Sequence, residues 1–499
     1  RNHLDFVKDY ACYTFLRKYE GGSNSKQRAD LESKAILGFK ETESILSEYK
    51  NRYRSETSRK GVGYCLEAMR RKISQILGRF DVHEWIDGCE WGPGATASLR
   101  ADQATLDKKI LEPSVGVTAE ALPYFRHILE TDIHMFAARC GVMPEGPYSV
   151  LRSNFRVESA SRLTTVPKTV SELRVIDIQP TGNLFLQKGI GKMIRRRLQR
   201  QGIDLDDQSR NQWLASVAQR LQLCTIDLAK ASDTLSMCLV RDVLPEDWFA
   251  ALNKLRTTFT EYKSEKIYLH KFSAMGNGYT FELESLIFYA ALEAVREFSS
   301  PSPEDIIGVY GDDLVVPRRF VKGAIRMLEA IGFSVNLQKS FTRGRFYESC
   351  GKHYFDGFDV TPPYQKEEIK DTISSCRAAN RVFRFALRLG RGDYLEGCYR
   401  QAWQLCVDFA FQDWDAVNLR RQKRLKFPFI PYWLDEDSGL LSTRSFFSTN
   451  GILRYNRLNI NPVKIEADNL ALLATSLRRK CVVDSPFLGF VTLRGRTRS

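Results

Sequence analysis

The stretch Ile306-Ile-Gly-Val-Tyr310-Gly311-Asp312-Asp313-Leu-Val-Val316 decides the reading of this chain. Two apolar, β-rich runs flank a Gly-Asp pair, which is a hairpin signature. A turn here would hold two adjacent carboxylates at one tip. Such neighbours repel unless one is protonated or a cation binds. The tip therefore favours a hard divalent cation such as Mg²⁺. Taken alone, the triplet Gly311-Asp312-Asp313 also suits an ordinary solvated turn.

A metal site needs a further carboxylate, and one lies upstream. Leu221-Gln-Leu-Cys-Thr-Ile-Asp227 alternates like a strand and ends on Asp227. The chain then runs through Ser232-Asp233 into a helix-like segment. A carboxylate leaving a sheet edge can meet a hairpin tip on a neighbouring strand, although a strand-end or helix-cap Asp reads the same way. Between the two acidic segments lies Ser273-Ala-Met-Gly276-Asn277-Gly278-Tyr279-Thr280. This Gly-rich loop opens a helix with Leu283, Leu286, Ile287, Ala290 and Ala294 on one face. Glycines admit close backbone approach, and a helix start favours anionic or polar groups. The order is strand-Asp, Gly-rich loop with helix, then strand–Gly-Asp-Asp–strand. It is the order of the A, B and C motifs of template-dependent polymerases.

Several longer segments carry a more specific likeness. Met275-Gly-Asn-Gly-Tyr-Thr-Phe-Glu-Leu-Glu-Ser-Leu-Ile-Phe288, Val309-Tyr-Gly-Asp-Asp313 and Glu348-Ser-Cys-Gly-Lys-His-Tyr354 resemble the replicase β subunit of the leviviruses, the small single-stranded RNA bacteriophages. So do Thr165-Val-Pro-Lys168, Gly202-Ile-Asp-Leu-Asp-Asp-Gln208 and Asp359-Val-Thr-Pro362. The likeness is strong over about 160–365. It is weak in 1–150, apart from Trp91-Gly-Pro-Gly-Ala-Thr96, and weak beyond 366.

The resemblance implies an α+β right-hand polymerase with an antiparallel-sheet palm and helical fingers and thumb. It implies fingers over 1–220, a palm over 221–365 with a fingers insertion near 242–268, and a thumb and C-terminal region over 366–499. The implied reaction is RNA-directed RNA synthesis on a single-stranded template from ribonucleoside triphosphates, started without a primer. By residue, it implies metal binding at Asp227, Asp312 and Asp313, with two Mg²⁺ ions that Mn²⁺ can replace. Asp233 matches the position that senses the ribose 2′-hydroxyl. Ser273 and Asn277 line the nucleotide site, and Lys168 and Arg174 match the basic element that meets the triphosphate. Lys168 and Arg174 are an even number of residues apart, so a single continuous strand would put both on one face. Lys339 follows the catalytic hairpin, where it could protonate the leaving pyrophosphate or simply screen charge. The B motif departs from many RNA polymerases: Gly276 and Thr280 fit, but Glu284 stands where Asn is usual. Ribose recognition is then expected from Asp233 and Asn277. His353 is expected to be structural. The implied partners are template RNA, nucleotides and the host elongation factors Tu and Ts, in the cytoplasm of an infected bacterium.

Two rival readings are weighed against the residues. Reverse transcriptases share the palm but place a bulky aromatic five residues after the first Asp, where this chain has Ser232. A non-enzymatic RNA-binding protein with a degenerate palm is expected to have lost carboxylates, and here all are present.

Bulk properties agree with a polyanionic partner. The chain of 499 residues carries 74 Lys+Arg against 60 Asp+Glu, a net charge of +14. Basic clusters occur at Lys192, Arg195, Arg196, Arg197 and Arg200, at Arg420, Arg421, Lys423, Arg424 and Lys426, and at Arg494, Arg496 and Arg498. Each reads either as a phosphate-tracking surface or as a solvated face. The eleven cysteines form no C-x-x-C pair, which suggests a reducing, cytosolic setting without disulfides or structural zinc. No apolar run approaches the ~18 residues that span a bilayer, so no membrane association is expected. The opening Arg1-Asn-His-Leu-Asp5 is polar and mixed in charge, unlike a secretory signal. Because it begins without Met, preceding native residues are expected.

Overall fold

In the computed structural model, the residues described are 3–19, 25–100, 104–140, 154–389, 397–420, 426–434, 436–447, 453–456 and 497–498. The chain is a mixture of helices and mainly antiparallel sheets. At its centre lies the helix Thr280–Glu297, buried on nearly every side from Thr280 to Val295. A helix buried all round has to be enclosed by other elements. Here the helices Lys60–Leu77 and Thr181–Gln199 pack against it. Phe288 within it is wholly buried against Phe333, with ring centroids 4.7 Å apart. Truncating Phe288 to Ala should cost about 3–5 kcal/mol.

Beside this helix lies a four-stranded sheet in the order Ser334–Val335, Leu223–Ala229, Asp313–Pro317, Gly308–Tyr310, with every neighbouring pair antiparallel. The anticipated hairpin is present: Gly308–Tyr310 and Asp313–Pro317 are joined through Gly311 and Asp312. Gly311 adopts φ +58°, and a Cβ there would lie 2.5 Å from the Phe281 ring, so the turn calls for glycine. The strand before it does not stop at Asp227 as its pattern suggested. It runs on to Ala229, because Leu228 and Ala229 pair with Val335 and Ser334.

A second four-stranded sheet has the order Glu172–Ile178, Ser161–Thr169, Phe259–Tyr262, Glu265–Tyr268. The segment near 242–268 thus contributes two strands to the sheet formed by residues 161–178, and none to the acidic sheet. The Gly-rich loop is joined to this second sheet where the Asp177 N–H donates to the Met275 carbonyl at 2.8 Å. At Gly276, φ is +127° and an added Cβ would come within 2.1 Å of the Asp177 carbonyl oxygen. Only glycine lets the loop sit this close.

Lys168 and Arg174 are not on one continuous strand. The chain turns at Val170–Ser171, and Arg174 pairs across the hairpin with Val166. A register shift between Pro167 and Thr169 leaves Lys168 bulged out of the ladder. Pro167 lacks the N–H that a regular ladder needs.

Towards the C-terminus, the helices Thr372–Arg388 and Gly397–Arg420 pack together. Asp371 opens the first with a capping box to Ser374. No described helix is long and apolar enough to cross a membrane. The cysteines among the described residues are free. Of the basic clusters, Arg421, Lys423, Arg424, Arg494 and Arg496 lie outside the described residues.

Candidate active site

Register builds the acidic centre. Asp227 and Asp313 are direct Cα partners across the antiparallel strands Leu223–Ala229 and Asp313–Pro317, and Asp312 sits in the adjoining turn. The Gly311 N–H, donating 3.0 Å to Ser285 Oγ on the central helix, anchors that turn. Asn211 Nδ2 donates 2.9 Å to the Asp313 carbonyl from the other side. The Asp227 carboxyl is pushed up to about 6, first by burial and then by the Asp312 charge, against the pull of Lys339 and Asn336. Asp313 is pushed up to about 7, again by burial and then by the charges of Asp312, Asp227 and Glu348. Among the described residues no group of three or more His, Cys, Asp or Glu side chains forms a ready-made metal cage. What the fold gathers is a set of carboxylates that raise one another.

Asn336, which the sequence reading passed over, belongs to this centre. Its Nδ2 donates 2.8 Å to Asp227 Oδ2, and its backbone N–H donates 2.9 Å to the Asp227 carbonyl. Asn336 leads the loop that brings Lys339 near Asp227 and Glu348. Burial drives the Glu348 carboxyl up, but its hydrogen bond and charge pairing with His353 bring it below its usual range. His353 also meets Tyr10 Oη at 2.5 Å, in keeping with a structural role.

The Gly-rich loop lies alongside. Ser273 is buried, and its Oγ has no hydrogen-bond partner among the described residues. Asn277 Oδ1 accepts the Ala274 N–H at 3.0 Å, so one side of this amide shapes the loop itself. Thr280 Oγ1 ties the helix start to the Ala274 carbonyl at 2.8 Å. One turn further on, Glu284 is only 6% exposed and its Oε2 has no partner among the described residues. Burial, then the charges of Asp312, Glu282 and Asp233, drive this carboxyl well above its usual range. Glu284 is thus close enough to feel both the acidic turn and Asp233. Asp233 itself is held by Lys271, whose Nζ lies 2.8 Å from Asp233 Oδ1.

Lys168 and Arg174 lie on the surface hairpin. Lys168 pairs with Glu172 at 3.2 Å, and Arg174 forms no salt bridge among the described residues. The cluster at 192–200 is largely committed to internal pairs. Lys192 binds Glu90 at 2.5 Å, Arg195 binds Glu282 at 2.6 Å, and Arg197 is 8% exposed and paired with Glu84 at 2.8 Å. These three cations join elements together, whereas Arg196 and Arg200 are exposed.

With this geometry in view, comparison with known proteins places the chain. Residues 1–393 match the family described as RNA replicase, beta-chain, and the chain belongs to that family. The match takes in residues 1–150, where the motifs had suggested little. The chain is 39% identical over 284 residues to the RNA-directed RNA polymerase beta chain of Enterobacteria phage fr, covering 56% of this chain and 48% of that protein. It is 35% identical over 327 residues to the RNA-directed RNA polymerase subunit beta of Escherichia virus Qbeta, covering 64% and 52%. The chain thus spans about half the length of the curated relatives it matches. A crystal structure of a human picorbirnavirus RNA-dependent RNA polymerase is similar at 12% identity and TM-score 0.34, covering 82% of this chain and 90% of that one.

Proposed function

We propose that the chain is the catalytic part of an RNA-directed RNA polymerase that copies a viral single-stranded RNA from ribonucleoside triphosphates and releases pyrophosphate. The observation that carries this reading is the pairing of Asp227 opposite Asp313, with Asp312 in the turn beside them. On this reading the acidic sheet is the palm, within 221–365. The sheet holding Lys168 and Arg174 belongs to the fingers over 1–220, together with the insertion near 242–268. The thumb and C-terminal region follow over 366–499.

The donor set fits Mg²⁺. Asp227 and Asp313 are buried carboxylates raised by the neighbouring acidic charges, which a bound cation would offset, and hard cations take oxygen ligands. Asp227, Asp312 and Asp313 would hold two Mg²⁺ ions, or Mn²⁺ in their place. When bound, the metal supplies activation of the 3′-hydroxyl and charge stabilisation on the leaving pyrophosphate. Asn336 orients Asp227 for this role. Lys339, beside Asp227, is the general acid for the pyrophosphate. Lys168 and Arg174 meet the triphosphate, while Asp233, Ser273 and Asn277 line the nucleotide site. The family resemblance adds initiation without a primer, the host partners Tu and Ts, and action in the cytoplasm of an infected bacterium.

The test is nucleotide incorporation on a single-stranded RNA template, with and without Mg²⁺ and with and without Tu and Ts. Template-dependent RNA that vanishes without the metal is expected. No product under any of these conditions overturns the reading.

A further inference from the structure

Lys271 is fully buried, at 0% exposure, a rare state for a lysine. Its ammonium lies 2.8 Å from Asp233 Oδ1 and 3.2 Å from Glu43 Oε1, and 3.8 Å from the centre of the Phe39 ring. Glu43 and Phe39 both belong to the long helix Ser25–Thr57. Glu43 in turn grips the Lys271 segment by its backbone, since Oε2 accepts the N–H of His270 at 2.5 Å and of Lys271 at 3.3 Å. The contact between Lys271 and Glu43 Oε1 lies within ion-pair distance but is not a well-directed hydrogen bond. The directed bond from this ammonium goes to Asp233.

Three groups of very different exposure are therefore joined in a row. Glu43 is 4% exposed and Lys271 is sealed in, whereas the Asp233 side chain is 23% exposed. Burying a lone ammonium would be costly, and removing one partner of a buried pair strands the other. The row is held from the helix side, and Asp233 is its only end that reaches solvent. The salt bridge occupies Oδ1 of Asp233. Oδ2 makes no hydrogen bond among the described residues and is left for a ligand. No other hydrogen bond or ion pair among the described residues fixes this carboxylate.

From these observations we propose that Lys271 is a positioning residue for sugar selection, braced by Glu43 and Phe39, which fixes the Asp233 carboxylate so that its free oxygen meets the ribose 2′-hydroxyl. The inference rests on the reading of Asp233 given above. A site built to hydrogen-bond a hydroxyl rejects the analogue lacking it, because its own polar group is left unpaired. That discrimination depends on the acceptor being held in place before the nucleotide arrives. Lys271 supplies the hold from a position the nucleotide never touches.

The experiment measures the ratio of kcat/KM for a ribonucleotide over its deoxy analogue, alongside Tm, in five proteins: the parent, Asp233→Ala, Lys271→Met, Asp233→Ala combined with Lys271→Met, and the charge-balanced pair Lys271→Met with Glu43→Gln. The paired variant leaves no stranded charge on Glu43 and keeps the test available if Lys271→Met alone does not fold. The expected result is a fall of at least about tenfold in the ratio for both Lys271 variants, with no further fall when Lys271→Met is added to Asp233→Ala. A purely structural lysine would lower Tm and leave the ratio at its parent value. That outcome, with Asp233→Ala impaired, overturns the proposal alone. A parent-like ratio in Asp233→Ala instead overturns the reading of Asp233 itself, and the role of Lys271 with it.

Discussion

Asp227 and Asp313 stand opposite one another across two antiparallel strands, and the carboxyl groups of both are pushed up by burial and by the charge of Asp312. A protein that needed only a stable sheet would gain by replacing such a pair with apolar residues. Asp227→Asn and Asp312→Asn should each abolish RNA synthesis, while template binding, measured by filter retention at fixed salt, stays within a few-fold of the parent. Normal synthesis by either variant would remove these residues from the catalytic centre. Relief of repulsion should make both variants at least as stable as the parent in the absence of metal.

Glu284 yields a prediction with a definite sign. Its carboxyl is raised well above the ordinary 4.5, so in metal-free protein the native state holds a proton that the unfolded chain gives up. Stability due to this group is complete below about pH 4.5 and is lost as pH rises through its native value. Glu284→Gln keeps the shape of the neutral acid and cannot ionise. Urea unfolding in EDTA between pH 5 and 9 should therefore show the variant gaining on the parent as pH rises. A constant difference would mean that Glu284 is not a raised, buried acid. The same substitution should preserve most synthesis, since the neutral form is the one being mimicked.

Much of this centre was legible because it is written in local pattern. The alternation around Asp227 and the Gly-Asp turn at 311–312 define two strands and a hairpin, and register alone then makes Asp227 and Asp313 partners. Residues brought in by distant chain were less visible. Nothing near Lys271 reveals that its partner, Glu43, comes from a helix more than two hundred residues earlier. Asn336 gave no signal in its own segment, since its role appears only once a two-residue strand lies beside Leu223–Ala229. The parity argument for Lys168 and Arg174 failed because alternation counts sides along one strand, and the turn at Val170–Ser171 breaks the count. The ion pairs within the cluster at 192–200 were hidden for a related reason: the acidic partners Glu84, Glu90 and Glu282 are scattered along the sequence.

Lys109 tests how the Trp91–Gly94 loop is held. It is 1% exposed and donates to the carbonyl oxygens of Gly92 and Gly94, the latter at 2.5 Å. Burial, with a smaller push from Lys188, lowers its amine to about 8 from 10.5. The charged form is therefore a native-state cost below pH 8 that is relieved between pH 8 and 10.5. The stability of the parent relative to Lys109→Met should rise across that window, by up to about 3 kcal/mol. Thermal melts of both proteins at several pH values would show it. A flat difference would mean that the two carbonyls fully compensate the buried charge.

The surface hairpin carries the last prediction. Lys168 is bulged from the ladder and shares its charge with Glu172, and both side chains are well exposed, at 39% and 56%. An exposed pair of this kind is worth about 0–1 kcal/mol, so a triphosphate can displace Glu172 at little cost. Arg174 has no such competitor among the described residues, and its planar guanidinium can bind two phosphate oxygens at once. Arg174→Ala should therefore do more damage than Lys168→Ala. It should lower kcat/KM for nucleotides by at least about tenfold, or about 1.4 kcal/mol, with the loss seen partly in KM because a clamp contributes binding. Glu172→Gln should act in the opposite direction, lowering the nucleotide KM by freeing Lys168. Steady-state kinetics at fixed salt and template would compare the three variants. If all three match the parent, the triphosphate does not visit this hairpin, and the cations that meet it lie on another part of the chain.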